Sequence, residues 1–187
     1  MNYFKTTVLT GLALFTLSTH ATHNVLTTEE KARAADSEIA AMLVMGNELE
    51  IDAGRMAKRK TDNAEVRAFA ERMISNHKAG NKQVKDVTKR LKISTANTEQ
   101  SREMKKDFKA DLRLIKKLKG NQFDAAYINF AVTTHMKKLN KIDSEFLPKA
   151  QNLEFKSLIE QIRPGVAAHL QHAKEIQAKL NTSTAKR

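Results

Sequence analysis

Residues 62–91, DNAEVRAFAERMISNHKAGNKQVKDVTKRL, decide the fold. Within them Val66, Ala70, Met73, His77, Gly80, Val84, Val87 and Leu91 are spaced alternately four and three apart, so they fall on one stripe of a helix. A seam of this regularity is the packing face of an antiparallel bundle. His77 interrupts it in the middle, which predicts an imidazole turned toward other helices and away from water.

Working outward, the N-terminal neighbour reads as a helix from Thr28 to Lys60, with Thr28 as N-cap and Glu29 and Glu30 in the first turn. Its stripe is Ile39, Leu43, Gly46, Glu50, Ala53 and Ala57. Glu50 is therefore predicted to be buried, while Glu48 and Asp52 point about 200 degrees away. Asp62 with Glu65 three residues later reads as a capping box that starts the helix quoted above.

On the other side, Lys92 to Gln100 is a polar link. Ser101 to Lys119 follows as a basic crossover helix with Met104, Phe108, Leu112, Ile115 and Leu118 on its apolar edge; Gly120 ends it. Asn121 with Asp124 is expected to open the next helix, which runs to about Lys149. That helix buries Ile128, Ala131, His135, Leu139, Ile142 and Phe146, with Phe123, Tyr127 and Phe130 widening the face. The last helix begins near Asn152 and carries a second ladder: Phe155, Ile159, Ile162, Val166, His169, Ala173, Ile176 and Leu180. Pro164-Gly165 inside it reads either as a kink that aims His169 inward or as a break between two helices. Glu65 to Met73 matches Glu154 to Ile162 in residue class, as two related helical hairpins would.

Composition agrees with an all-helical chain. There is no Trp, there are two Pro and six Gly, and no segment alternates with period two. Residues 1–21 combine Lys5, a short apolar run and Thr19-His20-Ala21, the pattern of a signal peptide cleaved after Ala21. The run is too short to span a membrane. With no cysteine, neither disulfides nor thiolate metal sites are open to the chain. The expected organisation is a signal peptide over 1–21, a lead-in over 22–35, a helical bundle over 36–180 and a disordered tail over 181–187. An exported protein, periplasmic or outer-membrane associated, is the corresponding location.

Four helices each place one polar residue on a buried stripe: Glu50, His77, His135 and His169. If the crossover helix runs the length of the bundle, the long helices go up, down, down, up. Counted from the Thr61 turn, the four residues then lie about 12 to 15 positions down, within roughly 5 Å of one another at about 1.5 Å rise per residue. One carboxylate and three imidazoles at one level suit a single transition-metal ion: zinc, copper, iron, manganese or nickel. The competing reading is a structural polar network. His172 sits at the seam's edge, and His23 is near the expected new N-terminus. Met42, Met45, Met56, Met73 and Met136 read as core filler, and Tyr127 as a core aromatic with its hydroxyl near a bundle end.

The segments Glu50-Ile-Asp-Ala-Gly-Arg-Met-Ala57, Glu65 to Met73 followed by His77, Phe123-Asp-Ala-Ala-Tyr127 with His135, and Pro164 with His169 resemble the bacterial domain-of-unknown-function family 4142, often described as predicted outer membrane proteins. The resemblance covers about Asp36 to Leu180 and implies a ferritin-like four-helix bundle and export. Members of that family commonly have Asp directly before the first two histidines, where this chain has Asn76 and Thr134. It implies no activity.

Ferritin-type di-iron chemistry is not expected, because no Glu-x-x-His occurs. Hydrolase signatures are absent too: no Gly-x-Ser-x-Gly elbow, phosphate loop, His-Glu-x-x-His or Cys nucleophile. The net charge of +12 raises a second function class, a basic protein that binds anionic lipid, lipopolysaccharide or a protein partner. Arg55, Lys58, Arg59 and Lys60, and Lys105, Lys106, Lys116, Lys117 and Lys119, are its candidate patches. No aromatics interleave with these lysines, so nucleic acid is not an expected partner. Metal handling or stress tolerance in the envelope, by a non-catalytic or weakly catalytic bundle, is the leading expectation.

Overall fold

The computed structural model describes residues 26–185, with side chains to residue 182. The expected signal peptide over 1–21 and His23 lie outside the described residues. Those described form helices α1 (Thr28–Lys60), α2 (Ala64–Leu91), α3 (Glu99–Lys117), α4 (Gly120–Lys141), a π-helical turn (Ile142–Phe146) running on into α5 (Leu147–Lys149), and α6 (Leu153–Ala185). Among them there is no strand.

The helix starts differ from expectation by one or two residues, in three of the four cases for a hydrogen-bonding reason. Thr27, not Thr28, caps α1, in a reciprocal capping box with Glu30. Asn63, not Asp62, caps α2, its Oδ1 accepting from the backbone N–H groups of Glu65 and Val66. Thr98 caps α3, whose first residue Glu99 comes two before the expected start, with Ser101 as its box partner. Asn121 and Asp124 do not open α4: Lys119 is its N-cap without a side-chain bond, and Gly120 takes a φ of 51°, which only a residue without Cβ adopts freely. α6 is unbroken through Pro164, which removes the two-helix reading, and it extends to Ala185.

Pairs of partners fix how the helices lie. Between α1 and α2 they are Glu48 with Lys85 and Asn47 with Asn81, and, ten or so residues further along α1, Lys58 with Glu71, which lies earlier on α2, so the two helices are antiparallel. α4 and the π-helical turn after it run antiparallel to α6 in the same way, through Asn129 with Gln177 and the two-point pair of Asp143 with Arg163 at 2.6 and 2.8 Å. α2 and α6 are joined by Glu65 with Lys179, Asn76 with His169 and Arg90 with Glu154. Asp36, buried on α1, accepts from the backbone N–H groups of Gln151 and Asn152 at 2.8 and 3.0 Å and so ties α1 to the start of α6.

The apolar interior is divided in two. One cluster gathers Ile39, Leu43, Val84, Ile142, Phe155 and Ile159; the other gathers Ala57, Val66, Phe69, Phe123, Ile128 and Ile176. Between them, on every long helix, lies a polar layer. Met42, Met45, Met56 and Met73 are core residues as expected, but Met136 is 52% exposed, because it follows His135 directly and so faces away from the seam.

Gly54, within the motif that begins at Glu50, marks the closest approach of α1 to α2. A Cβ there would stand 2.9 Å from Ile74 Cγ1 and 3.0 Å from the Ala70 carbonyl oxygen. Because the second obstacle is backbone, Gly54→Ala must push the helices apart. We expect it to lower unfolding free energy by about 1–2 kcal/mol despite alanine's better helix propensity, measured by urea denaturation.

Candidate metal centre

All four residues singled out in the sequence meet in the polar layer. Each is buried, with exposures of 8% for Glu50, 4% for His77, 1% for His135 and 8% for His169. Glu48 and Asp52, on the far side of α1, are exposed. The imidazole centroids are 5.8 Å apart for His77 and His135, 5.2 Å for His77 and His169, and 5.3 Å for His135 and His169.

The outer nitrogen of each ring is held. His77 Nδ1–H donates to Asn47 Oδ1 at 3.0 Å, and His135 Nδ1–H to the Ala131 carbonyl at 2.8 Å. His169 Nε2 lies 2.9 Å from the Asn76 amide nitrogen. That amide can donate to Nε2 or, turned by 180°, accept from it. The second orientation leaves His169 Nδ1 without hydrogen.

The inner nitrogens, His77 Nε2, His135 Nε2 and His169 Nδ1, have no hydrogen-bond partner. They offer ligand atoms that lie within 4.8 Å of one another, close enough to share one metal ion. Glu50 Oε2 approaches His77 Nε2 at 2.6 Å and His135 Nε2 at 3.1 Å. Contacts this short without a hydrogen bond mean that the oxygen sits off the direction in which each ring nitrogen projects. Groups arranged around a common centre behave so: near one another, each aimed at a point between them.

The electrostatics favour neutral His77 and His169 and a charged Glu50 carboxylate. Burial holds His77 below the ordinary histidine range, against the pull of Glu50. Burial, reinforced by His135 and His77, takes His169 down to about 3. For Glu50, burial acts upward, but Lys138, His135 and His77 together more than offset it, and its carboxyl lies well below the usual carboxylate range.

Sequence reasoning missed the residues that support the four. Lys138 Nζ stands 3.3 Å from Glu50 Oε1 and 3.1 Å from Asn47 Oδ1. Asn47 also donates from Nδ2 to Asn81 Oδ1 at 3.1 Å. A signal existed: Asn47, Asn81 and Lys138 each sit one helical turn from Glu50, His77 and His135, on the same face. Asn76 takes over an imidazole after all, although on a different helix from its own neighbour His77. Thr134 does not: its hydroxyl donates back to the Phe130 and Ala131 carbonyls. Tyr127 lines the same void of about 10 Å³ as Glu50 and His135, so it reaches the polar layer and not merely the bundle end. His172 packs edge-on against Phe69, with centroids 5.3 Å apart, outside the cluster.

Two clefts reach the layer from outside. One, of about 250 Å³, runs between α2 and α6 to His77, His169 and Lys138. The other, of about 280 Å³, lies under α3 and reaches Glu50 and Lys138 past Asp107 and Asp111.

A family model described as Domain of unknown function (DUF4142) matches residues 21–176. No curated protein matches the chain. Among solved structures, the chain is similar to the "putative secreted protein DUF305 from Streptomyces coelicolor", with a TM-score of 0.67 and 12% identity over 80% of this chain and 96% of that one. A likeness at that identity concerns the fold alone. No helix among the described residues is long and apolar enough to cross a membrane.

Proposed function

This chain belongs to the DUF4142 family, whose function is unassigned, and we propose that it binds one transition-metal ion through His77, His135 and His169, with Glu50 as the adjoining carboxylate. The observation that carries the reading is the set of three buried ring nitrogens, none with a hydrogen bond, converging from three helices. An unsatisfied buried polar atom costs about 1–3 kcal/mol. A shared cation removes that penalty at all three nitrogens at once. Nitrogen and oxygen donors suit zinc, copper, iron or manganese. The fixed outer nitrogens are what a bound imidazole needs to keep its lone pair aimed.

We read the helices as a ferritin-like up-down-down-up bundle with α3 as the crossover, a reading supported by the antiparallel pairings of α1 with α2 and of α4 with α6. We assign the protein to the envelope or periplasm, in metal handling or stress tolerance and without catalysis. The pattern of residues 1–21 supports export.

The Glu50–Lys138 ion pair favours a second reading, in which the cluster is a structural polar network with no ion. Elemental analysis of protein purified without an affinity tag separates the two: one metal per chain is expected, and none would leave only the network. An anionic-surface role has less support, since Arg55 and Lys58 are already paired with Asp52 and Glu71.

The position of Asn76 gives a sharper test. An acid there would accept the His169 Nε2–H with full charge and make Nδ1 a better donor. Asn76→Asp is therefore expected to tighten zinc binding by about tenfold or more in a competition titration. Unchanged affinity would mean that His169 is not a ligand.

A further inference from the structure

Resting on the metal reading above, we propose that the cleft between α2 and α6 is a binding site for a small anion of carboxylate or bicarbonate size, which completes the metal's coordination beside Lys138. Charge is the first argument. Three neutral imidazoles bring none, and the Glu50 carboxylate is already matched by the Lys138 ammonium at 3.3 Å. A divalent ion would therefore leave an uncompensated double positive charge in a buried layer, which is costly unless an anion joins it. Geometry is the second. Lys138 engages Glu50 through Oε1, so only Oε2 faces the imidazoles, and the carboxylate is not free to wrap the ion with both oxygens.

The cleft is built for such a guest. Its volume of about 250 Å³ has room for about eight water-sized groups. It ends on His77, His169 and Lys138, and no carboxylate is among its lining residues. The cleft under α3 also reaches Lys138, but there Glu50, Asp107 and Asp111 offset Lys137, Lys138 and Lys141, so it has no excess positive charge to draw an anion. The mouth between α2 and α6 is kept open by small residues, Ala79 and Gly80 on one wall and Gly165 on the other. Gly165 is exposed, and a Cβ added there would meet nothing within 4 Å, so packing does not require a glycine at that point. Gln83, Gln161 and Asn76 supply amide groups along the way in.

The test uses cobalt(II) as a coloured probe of the site and azide as a probe anion. Wild type, Lys138→Met and Gly165→Leu are each loaded with cobalt, checked for stoichiometry, and titrated with sodium azide while the visible bands of the metal are followed. All three are expected to hold one cobalt per chain. The wild type should show a saturable spectral change. Lys138→Met should bind azide about tenfold more weakly or worse, the worth of one charge-assisted hydrogen bond. Gly165→Leu, whose side chain fills the mouth, should not respond. A cobalt spectrum in the wild type that azide never alters would overturn the anion site while leaving metal binding intact. Equal azide affinity in all three proteins would overturn the roles of Lys138 and the cleft. Failure of the wild type to take up cobalt, zinc or copper would defeat the metal reading, and this proposal with it.

Discussion

Metal-free protein given zinc at about a hundred times its dissociation constant is expected to gain about 2.7 kcal/mol of stability. For a chain of this size that is a rise of roughly 5–10 °C in melting temperature. His77→Ala should lose the whole of this rise. It removes one of three nitrogens, and it also strands the Asn47 carbonyl, which then has only Lys138 for a donor. His172→Ala serves as the control, because His172 lies outside the cluster and packs on Phe69. Its melting temperature should still climb on adding zinc. Equal zinc shifts in wild type and His77→Ala, measured by differential scanning fluorimetry and confirmed by calorimetry, would place the zinc elsewhere.

Acid is expected to weaken the metal-free fold well before the carboxylates titrate. An unfolded histidine takes up a proton below about pH 6.5, whereas folded His169 stays neutral down to about 3. Over that window the unfolded chain holds more protons, so stability falls as pH falls, by about 1.4 kcal/mol per pH unit for each such group. His77, shifted in the same direction, adds to the slope. Glu50 is depressed too, and its contribution has the same sign but begins only below the ordinary carboxylate range. Between pH 6.5 and 5, His169 alone should remove about 2 kcal/mol. Urea midpoints in the presence of a chelator would show this, and His169→Gln should flatten the slope. A wild-type midpoint that does not move between pH 7 and 5 would mean that the imidazoles titrate freely, and hence that they are not held in a dry layer.

The effects share one physical origin. Two apolar clusters enclose a thin layer whose buried polar atoms find most of their partners within the protein. Outer ring nitrogens, amides, the lysine and the carboxylate satisfy one another, and three inner nitrogens are left over. That surplus is what a metal ion would answer.

Much of this was legible in the residues. The four-and-three spacing through His77 and again through His169 identified the helices and their inward faces, because a helix can bury only one stripe and each misplaced polar residue stands out on it. Equal distances from the Thr61 turn were enough to predict that Glu50, His77, His135 and His169 share a level. Helix starts were less legible. Thr27 and Thr28, or Asp62 and Asn63, are adjacent candidates, and only the backbone geometry selects which side chain reaches the free N–H groups. Continuity through Pro164 was likewise undecided, since a lost backbone hydrogen bond can end a helix or be absorbed by packing against a neighbour such as α4.

What the sequence by itself determined is the helical class, the register of each buried stripe and the four side chains that enter the interior. All of these follow from local periodicity along a single helix. What only the tertiary structure decided is which groups those side chains meet: Lys138 on Glu50, Asn47 between His77 and Asn81, and Asn76 on His169 instead of its own neighbour. Such pairings depend on the distance and rotation between helices far apart in sequence, where a shift of one ångström makes or breaks a hydrogen bond, and no spacing along one helix encodes that.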